Sequence, residues 1–94
     1  MSGAVCRVKV GVEGRVHGVN FRAFTSEHAR RLGLKGYVKN LPDGSVEAVI
    51  EGDPEGVERL VEALKEGPPA AYVTGLRVEE EKPTGEFVDF EIRR

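Results

Sequence analysis

The stretch Gly14-Arg15-Val16-His17-Gly18-Val19-Asn20-Phe21-Arg22 separates two incompatible periodicities, and this constrains the fold more than any other feature of the chain. Before it, Val8, Val10 and Val12 alternate with polar or small residues, the period of a half-buried strand. After it, Phe21, Phe24, His28 and Leu32 recur at spacings of three and four, which is one face of a helix. A strand must therefore become a helix across this loop. Its glycines and Asn20 tolerate backbone angles that other residues resist. In such a turn successive N–H groups can converge on one point, and the helix start adds partial positive charge there. Arg22 adds a permanent, fork-shaped cation. Phosphate is the obvious guest, although many glycine-bearing loops with one arginine are merely turns.

The remaining elements follow in order. Val5–Glu13 is the expected first strand and Phe21–Leu32 the first helix, with Gly33 as its stop. Gly36–Leu41 and Ser45–Glu51 read as two strands joined by Pro42-Asp43-Gly44, which makes them a hairpin. The second helix has Asp53 as cap, Pro54 and Glu55 in its first turn, and Val57, Leu60, Val61 and Leu64 as its apolar stripe. Gly67-Pro68-Pro69 ends it. Tyr72–Glu80 is a fourth strand with Leu76 and Val78 facing inward. Phe87–Arg93 is a last strand with Val88, Phe90 and Ile92 on one face. The order β-α-β-β-α-β plus a final strand predicts an α+β, ferredoxin-like two-layer sandwich, with two helices on one face of an antiparallel sheet. The place of the last strand in that sheet is left open. Residues 1–94 form one domain, without linker or repeat.

Topology already brings distant residues together. Strand, helix and strand form a crossover unit, so the first two strands run parallel and end at the same edge of the sheet. That draws Asn40, near the end of the second strand, toward the glycine loop.

Composition narrows the partners. The formal net charge is −2, so no general basic field is available to hold nucleic acid, and an anion must be caught by local geometry. A single cysteine, Cys6, excludes an internal disulfide and reads as a small apolar strand residue. No window resembles a membrane span or a targeting segment, which points to a soluble cytoplasmic protein. The absence of Gln and Trp, with 32% charged residues, leans toward a thermophile's composition.

Gly-Arg-Val-x-Gly-Val-x-Phe-Arg at residues 14–22 resembles the signature loop of the acylphosphatase family. So do Gly36-Tyr37-Val38-Lys39-Asn40-Leu41-Pro42-Asp43-Gly44-Ser45-Val46-Glu47, the Gly67-Pro68-Pro69 turn and the end around Phe90-Glu91-Ile92. The resemblance runs from about Val8 to Ile92. It implies the ferredoxin-like fold and hydrolysis of the carboxyl–phosphate bond of acyl phosphates, giving a carboxylate and inorganic phosphate. It implies that Arg22 binds phosphate and that Asn40 orients the attacking water. An amide suits that second task, because it both donates and accepts hydrogen bonds. The backbone of Arg15, Val16, His17, Gly18, Val19 and Asn20 would form the phosphate nest.

The leaving group makes the chemistry undemanding. A carboxylate, with a pKa of about 4, departs without a general acid. No cofactor and no metal are expected; His17 and His28 have no cysteine cluster near them. His17 stands where the family commonly has glutamine and reads as a loop residue whose backbone matters. His28 reads as packing. Arg15 is either a second phosphate contact or an ordinary surface cation, and Thr25 either bonds near Asn40 or packs. Asn20 stands where the family often has glycine, and it is the best-tolerated substitute if the backbone there needs a positive φ.

Two other classes fit the same fold. One is a binding module for a phosphorylated metabolite, distinguished by anion binding without hydrolysis. The other is an RNA-binding module, which would need exposed sheet aromatics in a basic field. The expected protein is a monomer, since one small core needs all the apolar stripes.

Overall fold

The computed structural model describes residues 4–94. Its elements are β1 (Cys6–Arg15), α1 (Phe21–Arg31), β2 (Lys35–Asn40), β3 (Val46–Gly52), α2 (Pro54–Glu66), β4 (Tyr72–Glu81) and β5 (Phe90–Arg93). The sheet order is β4-β1-β3-β2-β5. β1 and β2 both pair antiparallel with β3, which lies between them, so they run parallel to each other as the crossover requires.

The sheet is mixed and not purely antiparallel as expected, because β5 pairs parallel with β2. β4 runs down one edge of the sheet. The segment 82–89 then crosses to the other edge, at the end away from the glycine loop, and β5 rises beside β2. The crossing is fastened by charge. The buried Glu51 carboxylate accepts N–H bonds from Thr84 at 2.7 Å and Gly85 at 3.2 Å. The Arg7 guanidinium, mostly covered, donates to Glu81, Thr84 and Glu86 and lies over the Phe87 ring at 5.1 Å. Phe87 therefore belongs to the crossing segment. Val88 does not face the core as expected; it is 88% exposed, while Phe90 is fully buried and Ile92 is half-exposed.

The core lies between sheet and helices. Val8, Val10, Val12, Val38, Val46, Ala48 and Ile50 meet Phe21, Ala29, Val57, Leu60 and Leu64. Each fully buried aliphatic side chain contributes roughly 1.5–3 kcal/mol. α2 follows its sequence signals: Asp53 accepts from the Glu55 and Gly56 N–H groups, and Pro54 opens the helix. α1 is rotated from the expected face. Its buried row is Phe21, Thr25, Ser26 and Ala29, with Phe24, His28 and Leu32 along the flank. Small residues at the contact let the helix approach the sheet, and Thr25 spends its hydroxyl on the Phe21 carbonyl at 2.9 Å. His28 stacks on Phe24 at 4.2 Å and bonds its carbonyl. Leu76 packs on the core as expected, but Val78, two residues further along the edge strand β4, is 44% exposed.

Gly36 is the tightest point of β2. It sits at φ 140°, and an added Cβ would lie 1.8 Å from the Val49 carbonyl oxygen. Its N–H also bonds the Asp89 carbonyl at 3.1 Å, tying β2 to the end of the crossing segment. Gly36→Ala is expected to destabilise the fold by about 3 kcal/mol or more, read from denaturant unfolding.

On the open face, Tyr37 donates its hydroxyl to Glu47 at 2.8 Å, with the Arg93 guanidinium 4.2 Å from its ring centroid. Burial, reinforced by the bond to Glu47, pushes its pKa up to about 12. The folded state therefore holds the phenolic proton more tightly than the unfolded chain. That contribution is complete below pH 10 and is lost as pH rises toward 12. Tyr37→Phe is expected to give a shallower loss of stability across this window, measured as the wild-type-minus-variant difference in unfolding free energy.

Candidate active site

The site forms where three strand ends meet. β1, β2 and β5 run in the same direction, so the loop after β1, Asn40 at the end of β2, and Ile92 and Arg93 near the end of β5 share one edge of the sheet. A register shift at Glu13/Gly14 interrupts the pairing of β1 with β4, which resumes at Gly14 and Arg15. Gly14, at φ 123°, passes so close to Tyr72 that a Cβ would lie 2.1 Å from its carbonyl oxygen.

Beyond Arg15 the loop is pinned from below. Val16 is 1% exposed, Phe21 is 2% exposed and Val19 packs against the core, while His17, Gly18 and Asn20 face outward. Gly18 at φ 71° and Asn20 at φ 70° both take the left-handed conformation. Asparagine at position 20 thus supplies the backbone angle that the loop requires. Among the described residues, the N–H groups of Gly18, Val19 and Asn20 have no acceptor within the chain. α1 begins at once with its first-turn donors open. Asn20 makes no side-chain cap, and no acidic residue stands in the first turn. α2, capped by Asp53 and carrying Glu55, shows the ordinary alternative.

Arg22 and Asn40 converge on this loop. A cleft of about 630 Å³ is lined by Val16, Gly18, Val19, Asn20, Arg22 and Asn40 together with Phe21, Ala23, Ala70 and Ile92. One Arg22 Nη1–H donates to the Arg93 carbonyl at 3.0 Å, which leaves other guanidinium donors for a ligand. Among the described residues, Arg22 makes no ion pair and the Asn40 carboxamide no hydrogen bond. Asn40 precedes a tight turn. Leu41 N–H bonds the Ser45 carbonyl at 2.9 Å, and Asp43 accepts from the Ser45 hydroxyl at 2.6 Å and the Ser45 N–H at 2.9 Å. Those bonds from Ser45 hold the Asp43 carboxyl below its usual range.

Two expected residues lie outside the cleft. Arg15 is exposed and pairs through its backbone with Tyr72. His17 bonds the Ser45 carbonyl through Nε2 at 2.7 Å, so that nitrogen carries the proton. His17 thereby clamps the loop to the hairpin that carries Asn40. The residues missed from sequence are Ala23, Ala70, Ile92 and the Arg93 carbonyl. Those on β5 became visible only once that strand was placed beside β2.

The family model for acylphosphatase matches residues 8–92. The chain belongs to the acylphosphatase family. It is 56% identical over 86 residues to the acylphosphatase of Syntrophobacter fumaroxidans, covering 92% of this chain and 89% of that protein. The crystal structure of acylphosphatase from Bacillus subtilis superposes with a TM-score of 0.91 at 37% identity, covering 95% of this chain and 99% of that one. An acylphosphatase from Coxiella burnetii gives 0.90 at 39% identity, covering 95% and 93%. The activity is accordingly that of an acylphosphatase: hydrolysis of an acyl phosphate to a carboxylate and inorganic phosphate. The Gly67-Pro68-Pro69 turn of this acylphosphatase has a visible purpose. Gly67, at φ 72°, lies against Phe21, where a Cβ would fall 2.8 Å from the ring. The turn therefore backs the residue that anchors the loop-to-helix junction.

Proposed function

We propose that this acylphosphatase works by direct in-line attack of water, without a covalent intermediate. The phosphate group sits on the N–H groups of Gly18, Val19 and Asn20 and on the guanidinium of Arg22. Asn40 holds the water opposite the leaving oxygen. The oxygen–phosphorus bond to water forms as the bond to the acyl oxygen breaks. The electron pair leaves on the carboxylate, and the water's protons pass to the phosphate product and solvent. The carboxylate is stable at neutral pH, so no protonating residue is needed. The protein's contribution is position and charge.

The observation that carries this reading is one cleft holding an Arg22 with no carboxylate partner, an uncapped helix start and an unpartnered Asn40 amide. A cation at a helix N-terminus opposes the dipole, and bound phosphate resolves that conflict. His17 serves through its clamp on Ser45, and Arg15 remains at the surface. The reaction uses no metal, and no group of three or more His, Cys, Asp or Glu among the described residues could hold one. Benzoyl phosphate hydrolysis followed by absorbance with excess EDTA tests the scheme. Turnover that persists with chelator is expected, and its loss would overturn metal independence. The working form is a cytoplasmic monomer; among the described residues no helix is long and apolar enough to cross a membrane.

A further inference from the structure

The in-line scheme fixes more than the water. If Asn40 holds the nucleophile, the acyl group must leave from the face of the phosphate turned away from Asn40. The sheet order says what lies there. Asn40 and Ile92 stand on β2 and β5, and Ala70 lies just before β4, beyond β1 on the opposite side of the sheet. Three strand spacings separate β2 from β4, roughly 14 Å. All three residues nevertheless line the same cleft, together with Gly18, Val19 and Asn20 of the loop. The cleft's volume of about 630 Å³ is far more than a phosphate group fills.

We propose that Ala70 is the floor of the acyl subsite and sets which acyl phosphates are accepted. Ala70 is exposed and stands on a rigid support: the Ala71 N–H bonds the Pro68 carbonyl at 2.9 Å, and Gly67 is seated against Phe21. Its small side chain leaves room for a bulky group. Arg22 is the only charged residue lining this cleft among those described, and the phosphate occupies it; Arg94 bounds the adjoining space past Asn40 and Ile92, on the β5 side of the sheet and not on the Ala70 side. The substrate class is therefore acyl phosphates with an uncharged apolar or aromatic acyl group. Chains ending in a second carboxylate find no cation on the Ala70 side.

This inference rests on the in-line reading above. Its test is the ratio of kcat/KM for benzoyl phosphate to that for acetyl phosphate, in wild type and Ala70→Trp. Filling the floor is expected to lower that ratio about tenfold. Ala70→Lys, measured with succinyl phosphate against acetyl phosphate, is expected to raise the relative kcat/KM of the substrate bearing the second carboxylate at least severalfold. A general loss of folding or of phosphate binding lowers all substrates alike. Unchanged ratios in both variants, with an active wild type, would overturn the acyl subsite while leaving the in-line reading intact. A wild type that hydrolyses none of these substrates would overturn the reading beneath it.

Discussion

Arg22→Ala is expected to lower kcat/KM for benzoyl phosphate by about 10³-fold and to abolish competitive inhibition by inorganic phosphate. Among the described residues the guanidinium is the only cation lining the cleft beside the loop, with Arg94 bounding the adjoining space past Asn40 and Ile92, and it does not spend its charge on a carboxylate. The loop amides alone offer partial charges. The substrate carries full negative charge on its phosphoryl oxygens, and charge shifts further as the carboxylate departs. Removing the side chain loses both ground-state binding and transition-state stabilisation, so KM and kcat should both worsen. The variant also loses a bond to the Arg93 carbonyl, worth about 1 kcal/mol, and thermal unfolding should show only that modest change. Arg22→Lys should recover little, since a point charge cannot match the fork. Near-normal phosphate inhibition in Arg22→Ala would place the anion elsewhere.

Asn40→Ala should separate binding from chemistry. A drop in kcat of about 10²-fold or more is expected, with the inhibition constant for inorganic phosphate changed no more than a few-fold. The carboxamide has no hydrogen bond within the described residues, so its removal leaves no partner stranded and costs little stability. What it removes is the group that fixes the water opposite the leaving oxygen. A free water must then find that position unaided, at the entropic cost that positioning avoids. Asn40→Asp probes the same point differently. It keeps an acceptor, loses the amide donor and brings a negative charge near the phosphate, so it should be no better than alanine.

Much of this site is legible in the sequence. The change of period at residues 14–22 fixed a strand–loop–helix junction, and the crossover rule placed Asn40 at the same sheet edge. Asn20 at φ 70° meets the condition under which asparagine is the best-tolerated substitute for glycine at that position. The failures at the last strand share a cause. Local pattern does not reveal which neighbour an edge strand will choose. Phe87-Val88-Asp89-Phe90 reads as continuous strand, yet Glu51 and Arg7 hold the preceding residues across the sheet, and β5 begins only at Phe90. Both interactions are long-range in sequence and leave no periodic trace. Without β5 in place, Ile92 and the Arg93 carbonyl could not be assigned to the cleft. The rotation of α1 has a different origin. Thr25 and Ser26 lie off the face that the spacing of Phe21, Phe24, His28 and Leu32 picks out, but small side chains suit a helix pressed against a sheet, and the Thr25 hydroxyl finds its acceptor within the helix.

The most direct test is benzoyl phosphate hydrolysis by wild type and Asn40→Ala, side by side, in excess EDTA and with inorganic phosphate as competitor. The expected result is rapid wild-type turnover that chelator does not slow, turnover at least about 10²-fold lower in Asn40→Ala, and similar phosphate inhibition in both. Near-normal turnover by Asn40→Ala would show that the water is positioned by another group.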